Sequence, residues 1–135
     1  MKRKSHRFTL IELMLVVIII GALTAMVLPR LAGRSEQAKS GAAKADINAN
    51  ISTGLKLYEL DNGTFPSSSE GGLQALMTKP GSSNNWNGPY LEKKPIDPWG
   101  KPYVYVSPGE HRADYDLYSK GKNPNKEDDD VTNWK

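Results

Sequence analysis

Cysteine is absent from the 135 residues. That excludes a disulfide framework and any thiolate metal site, without fixing a compartment. Histidine is almost as scarce: His6 lies near the start and His111 is the only other one. The chain carries no HExxH, no GxSxG and no phosphate-cradling glycine loop, so no motif for metalloprotease, serine-hydrolase or nucleotide chemistry is present. A periplasmic enzyme on an anchor would need a catalytic cluster, and no candidate catalytic residue emerges. His111, beside Pro108-Gly-Glu110, reads as a turn residue. The body also lacks an excess of positive charge. The formal net charge is +3, but Lys2, Arg3, Lys4 and Arg7 all precede Phe8. Without those four, fourteen basic residues face fifteen acidic ones, a balance of about −1. The basicity belongs to a short leader, and no nucleic acid is expected as a partner.

What the chain does have is one long apolar run. Phe8 to Leu28 reads FTLIELMLVVIIIGALTAMVL. As a helix, about 21 residues span roughly 31 Å, the thickness of a bilayer's hydrocarbon core. The flanking cations keep the N-terminal side cytoplasmic and send the rest across. A cleaved secretory signal and a plain membrane anchor both fit the basic start and apolar middle. Neither accounts for Glu12. A carboxylate within an apolar membrane helix costs roughly 2.5–3.5 kcal/mol when central, less near the interface. Such a cost points to a partner, so a third reading is a subunit whose helix packs on others.

Beyond Pro29, where a kink or local melting is expected, helix-favouring residues continue. Ile47, Ile51, Leu55 and Tyr58 are spaced by four, four and three and share one face. Ala38, Ala42 and Ala43 extend it, and Asp61-Asn-Gly63 supplies a stop, with Gly63 able to go left-handed. From Thr64 the texture is that of a small globular part. Glu70 to Met77 suits a short helix. Asp97-Pro-Trp-Gly100 is a turn. Tyr103 to Val106 is a strand, and Ala113 to Ser119 its antiparallel partner with Tyr115, Leu117 and Ser119 on one face. A two- or three-stranded sheet laid on the helix, covered by Trp86, Trp99 and Trp134, makes the core. The tail from Gly121 to Trp134 contains three consecutive aspartates. Calcium takes six to eight oxygens, yet EF-hand spacing is missing, so composition alone favours a solvated charge run over a cation site.

Phe8-Thr-Leu-Ile-Glu12, opening an apolar helix with Pro29 downstream, resembles the class III leader of type IV pilin-like proteins. Glu70-Gly-Gly-Leu-Gln-Ala-Leu76, Lys79-Pro80, Gly88-Pro-Tyr-Leu91, Pro95-Ile-Asp-Pro-Trp-Gly100, Pro102-Tyr103, Pro108-Gly-Glu-His111 and Asp130-Val-Thr-Asn-Trp134 resemble the major pseudopilins of type II secretion. The likeness runs from the leader to Trp134. It implies an α+β, pilin-like fold: a long N-terminal helix packed on a small antiparallel sheet with a C-terminal loop. Residues 1–7 are then a cytoplasmic leader, 8–28 a transmembrane and assembly helix, 29–62 its amphipathic continuation, and 63–135 a periplasmic globular part. The implied function is a structural subunit that polymerises through its N-terminal helix to drive export of folded proteins across the outer membrane. An alternative is a type IV pilin for adhesion or DNA uptake.

The resemblance also implies processing and partners. A prepilin peptidase cuts between Arg7 and Phe8 and methylates the new Phe8 amine; the family carries glycine where this chain has Arg7. Glu12 of one subunit pairs with the amine of another. Partners are other copies in a helical filament, minor pseudopilins, an inner-membrane assembly platform with its ATPase, and membrane lipid before assembly. The family also carries Ca2+ in its C-terminal loop. On the matching positions, Asp129 and Asp130 give side-chain oxygens and Leu117 and Ser119 backbone oxygens, with Asn125 and Asp128 in the set less directly, since this loop lacks glycines usual in the family.

Overall fold

The computed structural model describes all residues except 3, 4 and 6, so the leader residues Arg3, Lys4 and His6 lie outside the described residues. The chain divides into two compact units, Met1–Glu36 and Gln37–Lys135. Helix α1 covers Leu10–Ala45 and crosses that division.

The first unit is helix and little else. Every residue from Leu10 to Leu31 is exposed, and no part of the apolar stretch is buried within the chain. The helix runs through Pro29 without interruption, so the melting expected there does not occur. One lost N–H donor is a cost that surrounding leucine, alanine and methionine can carry. The irregularity lies further on. Asp46–Asn50 is a π-helical turn, which inserts an extra residue and rotates the following face. Asp46 ties it down: one carboxylate oxygen accepts from Asn50 Nδ2 at 2.7 Å, the other from the Tyr103 hydroxyl at 2.8 Å. Burial, reinforced by the Asp46 charge, raises the pKa of the Tyr103 hydroxyl well above its usual value.

Helix α2, Ile51–Asn62, continues the chain. Ile47, Ile51, Leu55 and Tyr58 are buried to 2 % exposure or less, as their spacing predicts. Of the three alanines expected on that face, Ala43 is buried while Ala38 and Ala42 are exposed. Gly54 is not a flaw in α2. A Cβ there would press on the Tyr90 carbonyl and Leu91 side chain at 3.3 Å, so its absence lets the 90–91 loop dock. Gly63 ends the helix at φ +83°, and its N–H donates to the Glu59 carbonyl at 2.7 Å.

The expected short helix at 70–77 forms as two 3-10 turns, Ser68–Glu70 and Gly72–Leu76. Ser67 and Glu70 cap the first reciprocally, and left-handed Gly71 and Gly72 prevent one continuous helix. Three short strands complete the fold: β1 Val104–Val106, β2 Asp116–Ser119 and β3 Val131–Thr132. They form an antiparallel sheet in the order β1-β2-β3, with Tyr105 opposite Leu117 and Tyr118 opposite Thr132. Tyr115, Leu117 and Val131 join the α2 face, Ala75, Leu76 and Tyr103 in one core. Trp86 and Trp99 pack against it as expected. Trp134 instead stacks on His111 at 4.1 Å and meets Tyr118 edge-on.

Candidate functional site

Two places carry the candidate functional residues. The first is the start of α1. Thr9 N–H donates to Glu12 Oε2 at 3.0 Å, and Glu12 N–H donates to Thr9 Oγ1 at 3.3 Å. Thr9-Leu-Ile-Glu12 is therefore a capping box, which satisfies two otherwise unpaired donors at a helix start. The spacing T-x-x-E displays it in the sequence. The cap orients the carboxylate toward the chain's beginning. Arg7 and Phe8 are both exposed, with Phe8 at 85 %.

The second place is the loop after β2. Ser119 is fully buried. Its hydroxyl donates to Asp97 Oδ2 at 2.7 Å and accepts the Gly121 N–H at 3.1 Å. Asp97 Oδ1 accepts the N–H groups of Trp99 and Lys101. The Asp97-Pro-Trp-Gly100 turn thus anchors the loop entrance, a link between distant segments that local patterns do not reveal. Gly121 takes φ +65°, and a Cβ there would run into the Asp129 carbonyl oxygen. The loop returns through a 3-10 turn, Glu127–Asp129.

Asp129 faces into the loop. Its Oδ2 accepts the Asn123 N–H at 2.8 Å, while Oδ1 is buried with no hydrogen-bond partner among the described residues. A buried, unpaired carboxylate oxygen is costly without a donor or a cation. Asp130 is half-buried, and burial followed by the charges of Asp129 and Glu127 raises its carboxyl pKa. The Leu117 carbonyl accepts the Asn133 N–H at 3.0 Å, leaving it one further lone pair. Ser119 has committed its hydroxyl, so its carbonyl is the oxygen it can offer. Asn125 and Asp128 lie on the surface. Among the described residues, no three acidic, histidine or cysteine side chains converge as a metal cluster. A cation in this loop would lean on Asp129 and on backbone oxygens, a donor set that suits calcium.

Next to the loop, sequence reasoning missed a buried anion. Asp116 is 2 % exposed. Its carboxylate accepts the N–H groups of Glu110 at 2.9 Å, His111 at 2.9 Å and Arg112 at 3.0 Å, and pairs with His111 Nδ1 at 2.8 Å. Burial alone would raise its pKa. The hydrogen bonds win and hold it at about 2. His111 is in a turn as expected, but it also braces this carboxylate.

Comparison with known proteins agrees across the chain. The family described as "Type II secretion system (T2SS), protein G" matches residues 30–134, and the "Prokaryotic N-terminal methylation motif" matches residues 3–28. A Pseudomonas aeruginosa protein named "Type II secretion system core protein G" is 45 % identical, over 98 % of this chain and 97 % of its own. The Escherichia coli K12 protein of the same name is 44 % identical, over 97 % and 92 %. The crystal structure of the major pseudopilin from the type 2 secretion system of enterohaemorrhagic E. coli superposes with TM-score 0.66 at 34 % identity, covering 78 % of this chain and 95 % of that one.

Proposed function

The chain belongs to the type II secretion system protein G family, and from that premise we infer that it is the major structural subunit of the pseudopilus, a pseudopilin rather than an enzyme. The methylation motif covers residues 3–28 only, while protein G matches 30–134. The body therefore favours secretion over a pilin for adhesion or DNA uptake. One observation carries the mechanism: the apolar stretch of α1 is unburied in its own chain. It first needs lipid and then needs other copies. Exchanging lipid for apolar protein is nearly neutral, so an inner-membrane platform and its ATPase supply the work of extrusion. Minor pseudopilins and a prepilin peptidase complete the set of partners.

Lys2 and Arg7 on the N-terminal side favour a cytoplasmic start and a periplasmic body, with one crossing of the inner membrane. Residues 1–7 act as leader, 8–28 as the assembly helix, 29–62 as its continuation and 63–135 as the globular part. Cleavage between Arg7 and Phe8 exposes an amine that titrates near about 7.7–8.0 and so carries charge near neutrality. The Thr9–Glu12 cap already aims a carboxylate at that end of the helix. Glu12 of a neighbouring subunit pairs with the methylated amine of Phe8, offsets part of both burial costs and sets the axial register.

Calcium belongs in the C-terminal loop. The buried, unpartnered Asp129 Oδ1 supports this, as does the excess negative charge around Asp130. Asp129 and Asp130 would bind through carboxylates and Leu117 and Ser119 through carbonyls, with Asn125 and Asp128 at the rim. Bound there, the ion neutralises the acidic run and fastens the loop to β2.

The mass of the mature chain tests the processing: it should begin at N-methylated Phe8. A chain that begins at Met1 or after Ala25 would refute it. Arg7→Gly should speed maturation. Glu12→Leu should keep membrane insertion, by carbonate extraction, yet give no fibres by electron microscopy. Normal fibres from that variant would overturn the Glu12 pairing.

A further inference from the structure

A cavity of about 230 Å³ opens beside β2 and β3, on the side where His111 and Trp134 stack. Glu110, Asp116, Glu127 and Asp130 line it, together with His111 and Lys135. Thr132 also lines it, is only 5 % exposed, and its Oγ1 has no hydrogen-bond partner among the described residues. A buried hydroxyl without a partner, in a cavity lined by carboxylates, marks a place for a donor that is missing from the described residues of the single chain. The wall is held in position beforehand. Asp116 fixes the 110–112 backbone by three N–H groups, and the His111 and Trp134 rings lie 4° from parallel.

The shape of the charge selects the ligand. Glu110 and Glu127 are exposed and reach the cavity from separate loops, while Asp130 is already assigned to the proposed calcium site. Spread carboxylates with an aromatic wall suit a planar organic cation, which forms several hydrogen bonds at once and stacks on a ring. The same chain carries such groups on its helix. Residues 30–44 hold Arg30, Arg34, Lys39 and Lys44 against the single acid Glu36. Arg30 and Arg34 are exposed and one turn apart, hence on one face.

We propose that this acidic cavity receives an arginine of the 30–34 turn of a second copy, so that the folded unit of one subunit reads the helix of another. The inference rests on the reading of the chain as a filament subunit. It adds a specific polar contact to the non-directional association of the apolar helices, and so contributes to register at a point distant from Glu12.

The absence of cysteine makes the test direct. Full-length Glu127→Cys and either Arg30→Cys or Arg34→Cys are co-expressed with the secretion machinery, and assembled fibres are oxidised. We expect mixed disulfide dimers from at least one pair, and none when Glu92→Cys replaces Glu127→Cys. In a second arm, Glu110→Lys with Glu127→Lys should lower fibre yield at least about tenfold through like-charge repulsion. Arg30→Glu with Arg34→Glu should restore it. Both glutamates are exposed and neither is a proposed calcium ligand. Normal fibres that give helix-to-helix crosslinks but no cavity-to-helix crosslinks, or charge reversals that add instead of compensating, would overturn this contact alone. Failure of the native chain to form fibres would remove the filament reading and this contact with it.

Discussion

Ile18 in the first unit is 62 % exposed, whereas Leu55 in the second is fully buried. Both are large aliphatic residues on helices, and their surroundings differ because only one helix face meets apolar segments of its own chain. The face from Ile47 to Tyr58 packs with Ala75, Leu76, Tyr103, Tyr115 and Leu117. The stretch from Leu10 to Leu31 has no such covering. A periodic apolar face therefore marks a helix that finds its partner within the chain. A helix apolar on all sides requires a partner from outside its own fold.

The sharpest way to break this comparison is to truncate one residue in each unit. Leu55→Ala should destabilise the folded unit by about 3 kcal/mol, within the usual range for a buried leucine, read as a lower thermal midpoint in detergent. Ile18→Ala should move that midpoint by less than about 0.5 kcal/mol equivalent, while weakening fibre cohesion under shear. An equal loss from both would mean that the apolar helix has a core of its own, and the contrast would fail.

A second experiment removes the ion. If calcium holds the loop, chelation should cost the native chain about 2.7 kcal/mol when calcium had been a hundredfold above its dissociation constant. Asp129→Ala should already lack that increment and respond little to chelator. Ile18→Ala should respond as the native chain does, because its defect lies in the other unit. A chelator response unchanged in Asp129→Ala would move the ion elsewhere or dismiss it.

Acid provides the next step down in size. Asp116 is held at about 2 in the fold, below the ordinary carboxyl value near 3.9. A depressed acid contributes stability that is present above the unfolded value and is lost as pH falls toward the folded one. The second unit should therefore lose on the order of 2 kcal/mol between about pH 4 and pH 2 from this group. Asp116→Asn should be less stable at neutral pH and flatter across that window. If native and variant chains lost stability in parallel, the network around His111 would contribute nothing.

Much of this was legible in the residues, for reasons that differ by element. The helix face at Ile47, Ile51, Leu55 and Tyr58 and the stop at Gly63 are local signals, and local rules read them correctly. The strand at 104–106 and its partner ending at Ser119 were also readable, although β2 begins at Asp116 rather than Ala113. The π turn was not readable, because Asp46 is tied down by Tyr103, 57 residues away. Asp116 escaped notice for a similar reason. Three of its donors are backbone N–H groups, and these leave no trace in residue type. Pro29 lies inside α1, because proline lowers helix stability without dictating where a long, otherwise favourable helix must end.

The smallest effect is also the one that contrasts the two units most directly. Gly33 lies inside α1 and Gly63 at the end of α2, and a Cβ at either would meet nothing within 4 Å. Packing in the single chain is thus removed from the comparison, and only backbone preference remains. At Gly63 the chain takes φ +83°, where alanine costs about 1 kcal/mol or somewhat more. At Gly33 the helical backbone favours alanine by about 1 kcal/mol. Gly63→Ala should therefore lower the thermal midpoint of the folded unit. Gly33→Ala should leave that midpoint alone and raise helicity by circular dichroism before assembly. Loss of fibres in Gly33→Ala, with helicity increased, would show that a neighbouring copy approaches the helix where Gly33 leaves room.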